Sequence, residues 1–474
     1  MAWFEFLPEG AIPLHGLLTV LGLLVYILGS HALNQRRHPS AAIAWVMSIL
    51  LLPEIGVPLY LMFGTRKLPK AARRPVVAVE GDYLDEAGAP GWMQRLTAAM
   101  AMPPAAGYRA LHVHQDGAQA RLALFALIDS ARERLEISTF ILGRDAFGDA
   151  LLERLAVRAQ AGVRVRLLVD GVGSLMAGRR DFEKIRRQGI EVTQFAPPLR
   201  SPFQWPLRGR TNLRNHRKLV VADRQRVWSG GRNLADQYFE GSAVTPAWID
   251  LSFDAEGQLA AQAAELFEHD WNFACRPSQA WLERGSEHQW QKGAASRPLA
   301  QWLPSGPDYA DDTVHTALMT GVFRAQRQIF AVTPYLVPDE SLLAALVLAA
   351  RRGVQVDIIV PARSNHRLAD IARNRAMRDL ARAGARVWLS PSMVHAKAVV
   401  IDDSMALVGS VNLDSRSLFL NYELMAVFYA PAEIARFRDW LKQQCVNTKP
   451  YVASEPGLVR YMLEGLVTWT AFQL

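Results

Sequence analysis

The sequence predicts an α/β fold built by duplication and carried on an apolar N-terminal anchor, on three observations. A strand–helix–strand pattern occurs twice, its copies roughly 190 residues apart, which is duplication of a whole domain rather than a short solenoid repeat. Each copy closes on the same pattern, HxK(x4)D followed by Gly-Gly/Ser-x-Asn. Two apolar runs lie near the N-terminus. A chain of 474 residues also exceeds what one hydrophobic core usually holds. The expected organisation is a membrane anchor of two transmembrane segments over residues 1–74, a first α/β domain over 75–275, and a second over 276–474 with an amphipathic C-terminal tail. The two domains are expected to pack around one shared active site.

The first apolar run, residues 10–35, contains no Asp, Glu, Lys or Arg, and roughly 20 apolar residues span a bilayer core. Glu5 and Glu9 precede it without any Lys or Arg, so it reads as an uncleaved anchor; a cleaved signal peptide needs a basic start. The second run, residues 40–64, is interrupted by Pro53, Glu54 and Pro58. A mid-bilayer Glu is costly, so a kinked or partly re-entrant segment is expected there. Arg36 and Arg37 lie between the runs, and Arg66, Lys67, Lys70, Arg73 and Arg74 follow the second. That bias favours a hairpin with both ends, and the body that follows, on the cytoplasmic side.

Beyond residue 74 the pattern is that of a soluble α/β body. Residues 135–140 read as a strand, 150–160 as an amphipathic helix and 163–170 as the next strand. Residues 329–335, 342–352 and 353–360 repeat that order. Strand–helix–strand order in both copies predicts two sheets with mainly parallel strands.

Composition limits the partners. With 53 basic against 45 acidic residues the net charge is +8, which suits acidic lipid headgroups or nucleic acid. The two cysteines, Cys275 and Cys445, are far apart and lack any CxxC or Cys/His spacing, which argues against a disulfide scaffold or a structural zinc site.

The first motif reads His216, Lys218 and Asp223, then Gly230-Gly231-Arg232-Asn233; the second reads His395, Lys397 and Asp402, then Gly409-Ser410-Val411-Asn412. In a strand, residues i and i+2 face one side, so each His shares a face with its Lys. Two facing halves supply two His, two Lys and two Asn around one pocket. Lysines and amides neutralise phosphate oxygens, one imidazole attacks phosphorus, and the other protonates the departing alkoxide. Neither a metal nor another cofactor is needed.

These paired motifs resemble the HKD signatures of the phospholipase D superfamily. The stretch Arg36-Arg37-His38-Pro39-Ser40, with Leu52-Pro53 and residues 59–64, is similar to the anchor region of bacterial cardiolipin synthases; so are residues 304–308, 333–335, 212–218 and 412–417. The resemblance covers essentially the whole chain. It implies a protein integral to the bacterial inner membrane that acts on phosphatidylglycerol, an anionic phospholipid, rather than on nucleic acid. One phosphatidylglycerol donates its phosphatidyl group to a histidine and releases glycerol; a second then attacks to give cardiolipin. The resemblance implies His216 as nucleophile and His395 as acid/base, and places orienting carboxylates at Asp250 and Glu423. Asp223 and Asp402 belong to the signature, as catalytic groups or as braces of the fold. Departures at Asn365 and at Ala376-Met377 leave the acceptor lipid open.

The competing enzyme is a phospholipase D that passes the phosphatidyl group to water, to phosphatidylethanolamine or to a small alcohol. From another class, a membrane-bound lipid-binding scaffold would have lost a His or Lys from one motif, and neither is lost. The tail, residues 458–474, carries Leu463, Leu466, Val467, Trp469 and Phe472 on one apolar face, suited either to the membrane surface or to ordinary docking on the body.

Overall fold

The computed structural model describes residues 11–32, 39–64, 66–67, 88–178, 180–196, 212–241, 245–275 and 298–470. Arg36, Arg37, Lys70, Arg73, Arg74 and Phe472 lie outside the described residues, as do the expected boundaries near 74 and 275 on at least one side.

The first apolar run forms the 22-residue helix Ala11–Ala32, in which Leu14–His31 is long and apolar enough to cross a membrane. The second run is interrupted, as its prolines lead one to expect. It breaks at Leu52 into Pro39–Leu51 and Pro53–Phe63, of 13 and 11 residues, and at 1.5 Å per residue each falls well short of a bilayer core of about 30 Å. Pro53 forces the break, because it has no N–H to continue a helix and disfavours helical geometry at Leu52 before it. Glu54, the awkward charge of this run, accepts a hydrogen bond from His15 Nδ1 at 2.8 Å.

The two expected parallel sheets are corrected, to one continuous 15-stranded sheet of mixed direction. Each copy contributes three parallel strands at one end. These are Arg134–Thr139, Arg164–Asp170 and Glu191–Phe195 in the first copy, and Gln328–Val332, Gln355–Pro361 and Arg386–Ser390 in the second. Inward of these, each motif strand folds back as an antiparallel hairpin: Leu219–Ala222 with Arg226–Gly230, and Ala398–Ile401 with Met405–Gly409. The copies join where Ala106–His114 pairs antiparallel with Leu299–Ser305. The strand order on either side of that seam is the same apart from the added edge strand Lys449–Pro450 in the second copy, so the halves are related by a pseudo-twofold axis through it.

Helices cover both faces. Helices Gln258–Cys275 and Pro431–Cys445 close one face over a core common to both halves, in which Phe253 and Phe428 meet edge to face at 5.1 Å beside Trp302. Burying each such Phe contributes roughly 1.5–3 kcal/mol, so the seam is held by apolar packing as well as by the ladder. On the other face each half has its own core.

The anchor is stapled to the body. Arg66 pairs with Asp312 at 2.6 Å and lies over the Phe419 ring, while Lys67 Nζ donates to the carbonyl oxygen of Tyr309 at 2.9 Å. These contacts follow Ser305, whose strand partner is Glu423.

Candidate active site

His216 and Lys218 lie in extended chain just before the strand Leu219–Ala222, and His395 and Lys397 just before Ala398–Ile401. Each approach is locked to the opposite half. The His216 amide donates to the carbonyl oxygen of Tyr422 at 2.8 Å, and the His395 amide to that of Ile249 at 2.7 Å. The two half-sites are therefore interlaced at the pseudo-twofold axis.

The same exchange orders the side chains. Glu423, from the second half, lies 3.1 Å from His216 Nδ1; Asp250, from the first half, lies 2.7 Å from His395 Nδ1. A carboxylate can only accept, so both imidazoles hold their proton on Nδ1 and present an Nε2 lone pair. Glu423 also accepts from Asn421 Nδ2 at 3.1 Å and from the Ser410 hydroxyl. Asp250 accepts instead from its neighbour Leu251 N at 2.7 Å. At Gly231, the position matching Ser410, an added Cβ would sit 2.2 Å from Asp250 Oδ1. The Gly/Ser difference between the motifs thus gives the two histidines different carboxylate environments.

Burial and crowding of cations govern the charges. Desolvation pushes His395 down to about 3, helped by Lys397, whose Nζ lies 2.9 Å from Nε2. Desolvation and Lys218 lower His216 as well, against the opposing pull of Glu423. The lysines respond to the same desolvation: Lys218 falls to about 7 and Lys397 to about 8. Burial alone would raise Asp250, but His395 and Lys397 outweigh it and hold the carboxyl down to about 2; His216 and Lys218 lower Glu423 in the same way. The charge of Lys397 reaches His216 and that of Lys218 reaches His395, so all four groups share one field. Such a pocket is electrostatically suited to an anion.

Aromatic walls shape it. Phe140 meets His216 edge to face at 5.0 Å, and Tyr238 and Trp248 flank His395 at 5.0 and 5.6 Å. Asn233 Nδ2 donates to the Tyr238 hydroxyl at 2.8 Å and Asn412 Nδ2 to Ser417 Oγ at 3.1 Å. Sequence reasoning missed Ser410, Phe140 and Tyr238; only Ser410 left a signal, as the Gly/Ser difference between the paired turns.

Asp223 and Asp402, expected either among the catalytic groups or as braces, do not reach the pocket. Each sits in the hairpin turn at the far end of its motif strand, five residues or roughly 16 Å beyond the lysine. Both adopt positive φ, 52° and 46°, which Asp tolerates better than most residues. Asp223 takes the backbone N–H groups of Arg132, Glu133 and Arg134, and Asp402 those of Gln326, Arg327 and Gln328. They tie the motif hairpin to the start of the neighbouring strand. Asp223→Ala is expected to cost about 1–2 kcal/mol of stability and lower the Tm, with kcat changed less than about twofold. Thermal unfolding and lipid turnover on the same preparation check this; a large kcat loss at unchanged Tm refutes it.

Among the described residues no cluster of His, Cys, Asp or Glu could hold a metal ion.

With this geometry in place, comparison with known proteins is direct. The family described as cardiolipin synthase, PLD-like domain, matches residues 124–271 and 320–445, and the phospholipase D-nuclease N-terminal family matches residues 17–64. Cardiolipin synthase A of Pseudomonas putida (strain W619) is 33% identical over 432 residues, covering 86% of each chain. The chain belongs to the cardiolipin synthase family. Across a wider distance, cardiolipin synthase 1 of Bacillus cereus is 30% identical over 419 residues, covering 83% of this chain and 81% of its own. The phosphatidylserine synthase of Haemophilus influenzae has the same fold, with a TM-score of 0.63 over 81% of this chain and all of its own at 14% identity. As a cardiolipin synthase family member the chain is a membrane-associated phosphatidyltransferase that works on phospholipid.

Proposed function

We propose that the interlaced pocket transfers a phosphatidyl group from one phosphatidylglycerol to the hydroxyl of a second, through a phosphohistidine on His216. The convergence of Lys218 and Lys397 on two buried, carboxylate-held histidines carries this reading, because a bound phosphodiester keeps both depressed lysines charged and places phosphorus between the two rings. Residues 1–74 hold the body at the membrane, and residues 75–275 and 276–474 each furnish half of the site.

His216 Nε2 attacks phosphorus, and the P–O bond to the glycerol headgroup breaks. Lys218 and Lys397 hold the equatorial oxygens as charge builds, with the amides of Asn233 and Asn412 as further donors. The negative charge of the bound phosphate opposes the desolvation and the lysine charges that depress His395, so that His395 can carry the proton it gives to the departing glycerol alkoxide. In the second half-reaction His395 takes the proton from the acceptor hydroxyl, oxygen attacks phosphorus, and the P–N bond breaks. The products are cardiolipin and glycerol, with both imidazoles restored. The buried, aromatic-walled site favours a lipid alcohol over water. The body lies on the cytoplasmic face, in keeping with the basic residues that follow the anchor.

Purified protein in detergent, given phosphatidylglycerol alone, is expected to yield cardiolipin and glycerol in equal amounts by mass analysis. Phosphatidic acid as the main product would make it a hydrolase. Product only after addition of phosphatidylethanolamine would reassign the acceptor.

A further inference from the structure

The C-terminal helix Leu458–Thr470 is docked the wrong way round for an ordinary terminal helix. Its contact with the body is charged: Glu464, only 2% exposed, pairs with buried Arg378 on the helix Arg367–Arg382 and accepts from Arg460 Nε at 3.0 Å. Val467 packs against the small cluster of Val337, Ala369 and Ala372. Among the described side chains, those near its start that are apolar face outward. Leu458 is 76% exposed, Val459 73%, Met462 65% and Leu463 51%. The apolar face read from the sequence is thereby divided: Val467 faces the body and Leu463 faces away, while the side chains of Leu466 and Trp469 lie outside those described.

We propose that this helix is an interfacial segment whose outward face lies in the surface of an anionic bilayer, beside the mouth of the active site. Position supports it. Val337 and Tyr335 follow the strand Gln328–Val332, whose last residue pairs with Ala398, immediately after Lys397. The helix therefore sits at the catalytic end of the sheet. Arg66 and Lys67 fix the membrane anchor to the residues that follow Ser305, at that same end, since Ser305 pairs with Glu423. The exposed face thus continues a membrane contact the chain already makes. Charge supports it too: Arg363, Arg367 and Leu368, at the N-terminal end of the supporting helix, are exposed, a basic rim suited to acidic headgroups. A water-facing helix would gain from the reverse arrangement, with its carboxylate outside and its leucines inside.

The test uses the full chain with Cys275→Ser, Cys445→Ser and Met462→Cys, carrying a nitroxide at position 462, in vesicles of phosphatidylcholine and phosphatidylglycerol. Collisional relaxation by oxygen and by a water-soluble nickel chelate reads the depth. The expected result is protection from nickel by about fivefold or more relative to a Gln443→Cys label in the same background, with free access to oxygen. Equal nickel access at both positions overturns the proposal. Protection accompanied by strong spin–spin broadening that persists on dilution with lipid also overturns it, in favour of a second copy of the chain. This readout does not depend on turnover, so it stands apart from the catalytic assignment. In a second measurement, the Leu458→Ser/Val459→Ser/Met462→Ser variant is expected to lose fivefold or more of its activity on vesicles, yet about half or less on phosphatidylglycerol dispersed in detergent. Equal loss in both formats speaks for a structural role.

Discussion

His216→Ala and His395→Ala each abolish cardiolipin formation, by on the order of 10⁴-fold or more, but they fail at different steps. A phosphatidyl ester of p-nitrophenol separates them, because its leaving group departs without needing a proton. With His395→Ala, the nucleophile is intact: one equivalent of p-nitrophenol is released in a burst and the phosphatidyl group stays on the protein. With His216→Ala there is neither burst nor adduct. The reverse pattern assigns the nucleophile to His395, and bursts from both variants mean that either imidazole can serve. The structure makes this a fair contest, since both rings are held by a carboxylate at Nδ1.

Glu423→Gln has the second-largest expected effect, a kcat loss on the order of 10²–10⁴-fold with KM little changed. The amide can donate as well as accept, so the Nδ1–H tautomer of His216 is no longer enforced. The pH profile carries the sign. Glu423 raises the His216 pKa against desolvation and the Lys218 charge. Its neutralisation lowers that pKa further, so the acid limb of kcat/KM moves to lower pH even as the plateau drops. A limb that stays in place, or moves upward, removes Glu423 from the role of orienting group. Asp250→Asn is the matching change at His395, where the carboxylate opposes a depression already reaching about 3.

The repeated strand–helix–strand units are readable from sequence because their periodicity is local. Residues 135–140 and 163–170 fall on Arg134–Thr139 and Arg164–Asp170, and 353–360 overlaps Gln355–Pro361. The antiparallel centre of the sheet is not, since Ala106–His114 finds Leu299–Ser305 across the whole of the first copy and nothing in either segment names its partner. The same limit applies within the site. Motif spacing locates His216 and His395, but the partner of each is far along the chain, 207 residues for Glu423 and 145 for Asp250. For Asp223, by contrast, strand geometry alone is enough: five residues of extended chain from Lys218 carry it to the other end of the strand, away from the pocket. Pro53 likewise signals a break, and the helices Pro39–Leu51 and Pro53–Phe63 lie on either side of it.

Each half borrows its orienting carboxylate from the other, and that has a consequence for how such a chain can diverge. A single copy has a histidine but no group to aim it, so one half alone has nothing to select for except as a symmetric pair. Joining two copies in one polypeptide makes the encounter independent of protein concentration and, more importantly, releases the copies from identity. Gly231 and Ser410 show that release in progress: one half can tune its partner's imidazole without altering its own. A reaction that asks one histidine to attack and the other to shuttle a proton is better served by two sites free to drift apart than by two bound to match.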